Sequence, residues 1–564
     1  MSGTQWIIFF FVIQLLHGLA TWKLYVKAGR KAWEAFVPVY NAVVLMKIIN
    51  RPWWWTILLF LPIVNLIIFP VVWVETARSF GKNSSQDTLL AIILLGFYNF
   101  YLSYGAKDLK YRENRSLHPL TELGDWVSSI LFAIVAATIV HTYFIQPFVI
   151  PTSSLEKTLL VGDFLFVSKV NYGARTPQTT IAVPMIHDAV PGTTVPSYIK
   201  KPQLPYFRLP ALEDIEHNDI VVFNWPVDTL VDINNPYGEV RYKPVDKKTN
   251  YVKRCVGLPG DSLSIKEGYV YINGKKNELP DRAKLQFFYK TELKNISAEQ
   301  FIKQYGITES FKTYSFKTSI EYWNKVEVQK YLKVKNIGTE IIKKDSSQIQ
   351  FYARNLDQES FDRLKFEIAG TTLLANLTED LAAKIKSNPN VISLKKDLST
   401  EPENDIFPRS PEYSWNKDEF GPIYIPEAGK TIDLNLEVLP LYKRIITAYE
   451  GNTVDVKGNQ ILINGEIANT YTFKQDYYWM MGDNRHNSQD ARMWGYVPFD
   501  HVVGKPVFVW MSWDSNGKGL DKIRWNRLFT TVGGEGKPTS YFIPFLVVLA
   551  GIFAFNKFRK RKKK

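Results

Sequence analysis

No Asp, Glu, Lys or Arg occurs between Trp126 and Leu155, and a run of that length is long enough to cross the roughly 30 Å of bilayer hydrocarbon. Three more uncharged stretches precede it: Met1–Trp22, Pro52–Val74 (opening on Trp53, Trp54 and Trp55) and Thr88–Ala106. A fifth, Pro538–Asn556, lies near the C-terminus. Met1–Trp22 has neither a basic start nor a small-residue cleavage site, so it reads as a membrane helix rather than a removable leader. Five spans are therefore expected. The bases in the connecting loops set their direction. Loops 23–51 and 107–125 are rich in Lys and Arg, whereas 75–87 carries only Arg78 and Lys82. The last eight residues hold seven bases, half of the +14 net charge, which argues for lipid contact rather than nucleic acid. Residues 149–537 are then expected on the outer side and the tail in the cytoplasm.

The expected organisation is a membrane region at 1–106 with three spans, a cytoplasmic loop at 107–125 and a fourth helix at 126–148. An outer domain follows at 149–279 and 441–537, interrupted by a polar insertion of unknown role at 280–440. A membrane helix at 538–556 and a basic tail at 557–564 close the chain. The outer segment is rich in β-branched and aromatic runs, such as Phe164–Val170, Asp219–Trp225, Tyr269–Ile272 and Val507–Met511, which read as strands. The fold class expected is a mainly β outer domain of antiparallel sheets on a multi-span α-helical anchor. Asn273-Gly274 and Asn464-Gly465 sit in similar frames and suggest a duplicated hairpin. Within the insertion, Thr378–Ser387 is helix-compatible. The single Cys255 excludes an intramolecular disulfide, and seven scattered His with no Cys cluster argue against structural zinc.

Chemistry-bearing residues concentrate in three places. Ile150–Asp163 carries Ser154 between Ser153 and Leu155, just beyond the fourth span. Tyr251–Asp261 sets Lys253 in an apolar strand beside Val252. Met481–Gly495 packs Asp483, Asn484, Arg485, His486, Ser488, Asp490 and Arg492 among glycines. A lysine acts as a base only when neutral, and burial among apolar groups lowers its pKa from about 10.4. Together and in this order, these stretches resemble the nucleophile, lysine and Gly-Asp-Asn-Arg boxes of bacterial type I signal peptidases. The resemblance covers roughly 126–275 and 476–512.

The resemblance implies a Ser154 nucleophile and a Lys253 general base. It implies an oxyanion hole from the Ser154 N–H and the Thr152 hydroxyl. Ser488 would orient the lysine amine, with Asp483, Asp490 and Arg492 as supports. Phe148, Ile150, Leu155, Leu159, Tyr251 and Val252 would line small substrate pockets. No cofactor or metal is implied. The implied partners are the bilayer and preproteins whose signal peptides end in small residues (Ala-x-Ala-like), in the bacterial inner membrane with catalysis on the periplasmic side. The chain departs from the family pattern at Thr152, Leu155, Lys157 and His486. Two other readings stay open. Ser154-Leu155-Glu156-Lys157 also spells the Ser-x-x-Lys of penicillin-recognising enzymes, which requires a helix. A non-catalytic membrane scaffold with an outer β domain is the second.

Overall fold

The computed structural model describes residues 2–107, 109–119, 121–229, 240–294 and 296–562. Met1, Lys563 and Lys564 of the expected first span and tail lie outside them. Among the described residues, three helices are long and apolar enough to cross a membrane: Gly3–Lys27, Glu122–Phe144 and Phe542–Arg559. The first starts on a Ser2/Gln5 capping box, and the second on Thr121, whose hydroxyl accepts from Gly124 N.

The other two expected spans are not continuous helices. Segment 52–74 breaks into a single turn at Trp55–Leu58 and a 15-residue helix, Asn65–Ser79, that spans only roughly 22 Å. Ile63, just after Pro62, takes a positive φ of 69° and interrupts the hydrogen-bond ladder between them. Segment 88–106 breaks where Leu95 and Gly96 both have positive φ. These pieces pack with the first helix into a core of their own, including Leu24, Tyr25, Val44, Ile68 and Val72. Within this region the Glu75 carboxylate is buried among Arg51, Arg78 and Arg115. At its other end, the first helix touches the large β region: Trp6 Nε1 donates to the Gln203 carbonyl at 2.9 Å.

The fourth expected span also ends early. Residues 145–149 form an edge strand, antiparallel to Asp163–Ser168, instead of the last turn of the 126–148 helix. Pro147 has no N–H to give a helix, and an edge strand tolerates it. That strand opens an eight-stranded antiparallel sheet. Its order runs 145–149, 163–168, 502–512, 220–224, 250–257, 477–481 and 497–498, with 530–531 pairing on 502–512.

Beside this sheet lie two small meanders, 262–276 and 454–467. Their likeness extends to the atoms of the turn: Ser262 N donates to Asn273 Oδ1, and Thr453 N donates to Asn464 Oδ1, each at 2.9 Å. Both Asn-Gly pairs have the positive φ angles of a type I′ hairpin.

The insertion is narrower than 280–440. A six-stranded antiparallel sheet with flanking short helices occupies 286–396 and has two cores, one around Phe287 and Leu377 and one around Phe351 and Phe366. The helix within it runs Glu379–Lys386, capped by Thr378. From Ile406 onward the chain returns to the main body, where Phe407, Phe420, Ile425 and Leu434 pack against Trp479 and Val256. Those apolar positions, scattered through a polar stretch, fix where the insertion ends.

Candidate active site

Pro151 and Thr152 keep the chain extended as it leaves the edge strand, and Ser153–Leu155 then close a single 3₁₀ turn. Ile150 and Asp163 hold the ends of this loop together: Ile150 N donates to Asp163 O, and Gly162 N donates to Ile150 O, both at 2.9 Å. Asp163 is fully buried, accepts from Ser512 Oγ and Leu160 N, and is ion-paired to Arg527. Leu155 and Leu159 turn inward from the loop into a core shared with Ile150, Leu165 and Val509, with Phe148 and Val252 packed on it.

Lys253 projects from the strand Asn250–Gly257, opposite Val221 in register. Its Nζ donates to Ser154 Oγ at 2.5 Å. Both side chains are buried, Ser154 at 7% exposure and Lys253 at 2%. Burial is the largest influence on the lysine and lowers its pKa from 10.5 to about 8; Asp490 and Asp483 pull it back up, and Arg492 pushes it down. Nζ also lies 5.6 Å from the Tyr251 ring.

Two buried ion pairs frame this contact. Arg492 grips Asp490 with Nε and Nη2 at 2.9 and 2.8 Å, and Asp490 also accepts from Gly482 N at 3.0 Å. Arg254, the residue after the lysine, binds Asp483 through Nε and Nη2 at 2.7 and 2.6 Å, while Thr158 Oγ1 donates to the same carboxylate. Burial alone would raise both carboxyl pKa values, but the guanidinium partners win and hold them below the ordinary range. Thus the lysine and serine loops are each tied to Asp483. Gly482 has no room for a side chain: a Cβ there would stand 2.5 Å from the Ser154 carbonyl oxygen and 2.3 Å from Ser488 Oγ.

Not every expected residue takes the expected place. Ser488 Oγ is buried against Gly482 and has no hydrogen-bond partner among the described residues, so it makes no bond to Lys253. Thr152 is exposed and makes no capping bond with its side chain. The expected pocket residues divide. Phe148, Ile150, Leu155, Leu159 and Val252 share one cluster, whereas Tyr251 packs tilted against Trp225 and edge-to-face on Trp494 in another. Alternation along the strand explains the split, because Val252 and Tyr251 face opposite ways. Lys157 has a φ of 69° and lies outside any helix, so the Ser-x-x-Lys geometry does not form.

His486 acquires a structural reason. Its Nδ1 accepts from Phe288 N at 3.0 Å, which leaves Nε2 to carry the proton towards Asp418 Oδ1 at 2.9 Å. Arg254, Thr158 and Asp418 were not singled out from sequence. Only the adjacency of Arg254 to Lys253 gave any hint.

A profile described as signal peptidase, peptidase S26, matches residues 123–332 and 466–513. These residues form a peptidase S26 domain. Signal peptidase I of Buchnera aphidicola (subsp. Acyrthosiphon pisum) is 23% identical over 398 residues, covering 70% of this chain and 77% of that protein. Signal peptidase I of Haemophilus influenzae is 21% identical over 76% of this chain and 80% of its own length. Signal peptidase I of Helicobacter pylori is 34% identical over 100 residues, or 16% of this chain and 34% of that protein. Residues 33–114 match a second profile, described as a family of unknown function.

Proposed function

We propose that this chain is the membrane-bound endopeptidase that removes signal peptides from exported preproteins, with Ser154 as nucleophile and Lys253 as general base. The observation that carries the reading is the buried 2.5 Å contact between Lys253 Nζ and Ser154 Oγ. An amine with a pKa near 8 is neutral in a useful fraction of molecules at neutral pH. Its lone pair takes the Ser154 proton as Oγ attacks the scissile carbonyl. The resulting oxyanion is held by the Ser154 N–H, with the solvent-exposed Thr152 hydroxyl turning in as the second donor once substrate is bound, a pair contributing several kcal/mol. The protonated amine then returns its proton to the leaving nitrogen, which departs with the mature protein. The same amine, neutral again, activates a water to release the signal peptide from Ser154. Asp490–Arg492 and Asp483–Arg254 act as the rigid frame. Ile150, Leu155 and Leu159, buried in one apolar cluster on the loop that carries Ser154, are assigned to the pocket for the small residues before the cut.

The reading places residues 149–537 on the periplasmic face of the inner membrane and the tail in the cytoplasm. Its parity survives the loss of two spans, because removing a pair leaves both sides unchanged. The Trp6–Gln203 contact supports an outer N-terminus. Segment 33–114 then enters the bilayer from the cytoplasmic side and turns back, with Trp53, Ile57, Phe60, Leu89 and Ile93 exposed to lipid. The test is cleavage of a preprotein with an Ala-x-Ala site by the detergent-solubilised chain. Wild type and Lys157→Ala should cut, while Ser154→Ala and Lys253→Ala should not. Loss with Lys157→Ala and retention with Lys253→Ala would overturn the assignment.

A further inference from the structure

The 286–396 insertion is sewn to the catalytic loops by more than contact. Its first residue forms a two-way backbone bridge with the third box: Gln286 N donates to Asp483 O, and Arg485 N donates to Gln286 O, each at 2.9 Å. From there a closed hydrogen-bonded circuit runs to the serine. Asn376, on the strand Glu367–Thr378, gives one Nδ2 hydrogen to Glu309 Oε2 and the other to Asn484 Oδ1, both at 2.7 Å. Glu309 Oε1 accepts from Asn487 Nδ2 at 2.6 Å, and that nitrogen also donates to Ser153 Oγ at 3.1 Å. Asn484 Nδ2 donates to the Ser153 carbonyl at 3.1 Å, and Asn484 N donates to the Ser154 carbonyl at 3.0 Å. The carbonyl and the hydroxyl of the residue before the nucleophile are thus held by amides that the insertion itself holds.

We propose that Glu309 and Asn376 are positioning residues for the Ser154 turn, so that the insertion sets the distance between nucleophile and base. This deepens the peptidase reading and rests on it. Charge-assisted bonds from a carboxylate to amide donors are among the stronger hydrogen bonds, and here one carboxylate fixes two amides at once. Without it, Asn487 is an exposed side chain with no anchor in the insertion, and Ser153 Oγ is bonded to an untethered donor. Ser154 Oγ then samples more positions around Lys253. A loss of alignment lowers turnover, whereas substrate affinity, set by contacts elsewhere, is spared.

The test uses the full-length chain in detergent and reads preprotein cleavage, thermal midpoint and hydrogen exchange at the Asn484 amide, whose acceptor is the Ser154 carbonyl. Glu309→Ala should lower kcat about tenfold with KM within about twofold and an unchanged midpoint. It should also speed exchange at Asn484 about fivefold or more. Glu309→Gln, which keeps the size and one acceptor oxygen, should recover most of the turnover. The double variant Glu309→Ala/Asn487→Ala should be no slower than Glu309→Ala, because both break the same circuit. Lys317→Ala, elsewhere on the insertion sheet, should match wild type. Unchanged kcat and Asn484 exchange, multiplying losses in the double variant, or a defect confined to KM would each overturn the proposal. The two readings fail separately. Faster Asn484 exchange in a chain whose wild type cuts no preprotein would refute the peptidase assignment and leave the positioning role in place.

Discussion

The catalytic body and the insertion use the same ion-pair chemistry in opposite surroundings. In the body, Asp490–Arg492 and Asp483–Arg254 are almost fully buried, and every carboxylate oxygen is met by a guanidinium. In the insertion, Lys317–Glu367 and Arg354–Glu340 stand largely in solvent at 3.2 and 3.7 Å. Exposed pairs are screened by water and contribute little, whereas a buried pair costs desolvation on both sides and is expensive to break. The body therefore accepts that cost around one lysine to fix its geometry, and the insertion's surface pairs serve solubility. The Glu309 circuit is the exception within the insertion: a half-buried carboxylate at the boundary between the two regimes.

The sharpest contrast lies at the dyad. Ser154→Ala or Lys253→Ala should lower kcat by at least 10⁴-fold in single-turnover cleavage, since members of such a unit are lost together. Next in size, Asp490→Ala or Asp483→Ala leaves a buried guanidinium unpaired and should destabilise the fold by about 3–5 kcal/mol in denaturant titration. A loss under 1 kcal/mol would break the comparison by making the buried pairs no different from the exposed ones.

The pH dependence has a definite sign. The folded pKa of Lys253 is lowered from 10.5 to about 8 by burial, so between those values the unfolded chain binds more protons and stability rises with pH. Below pH 8 the buried ammonium costs about 3 kcal/mol, at about 1.4 kcal/mol per tenfold change. Lys253→Met should accordingly be more stable than wild type at pH 6, and that advantage should shrink between pH 8 and 10.5. The cleavage rate should rise with pH to a midpoint near 8 as the amine becomes neutral. Smallest of all, Lys317→Ala or Glu367→Ala should shift stability by no more than about 0.5 kcal/mol.

Sequence order made Ser154, Lys253 and the third box legible, because a hydroxyl, an apolar-flanked lysine and a Gly-rich polar cluster each need little context. The strands at 220–224 and 269–272 were legible from β-branched and aromatic runs alone. Helix continuity was not. Hydropathy measures transfer of side chains to hydrocarbon, and it is blind to a positive φ at Ile63 or Leu95. The Arg254–Asp483 pair was hidden because its partners are separated by more than two hundred residues and meet only through sheet register. The insertion's sheet was obscured by solvent-facing Lys and Glu on its strands, which blur the alternation that marks a half-buried strand.

Cys255 lies fully buried beside the lysine, its Sγ directed at the Gly257 carbonyl, and burial pushes its thiol pKa up. With no second cysteine in 564 residues, the native chain is a silent background for maleimide chemistry. Lys200→Cys, on the exposed surface of the large β region, should label in intact cells with a membrane-impermeant reagent. Asn83→Cys, in the turn between the broken helices, should label only after permeabilisation. Labelling of Asn83→Cys from outside would restore the five-span arrangement, so one inert thiol lets the bilayer path of the whole chain be read a residue at a time.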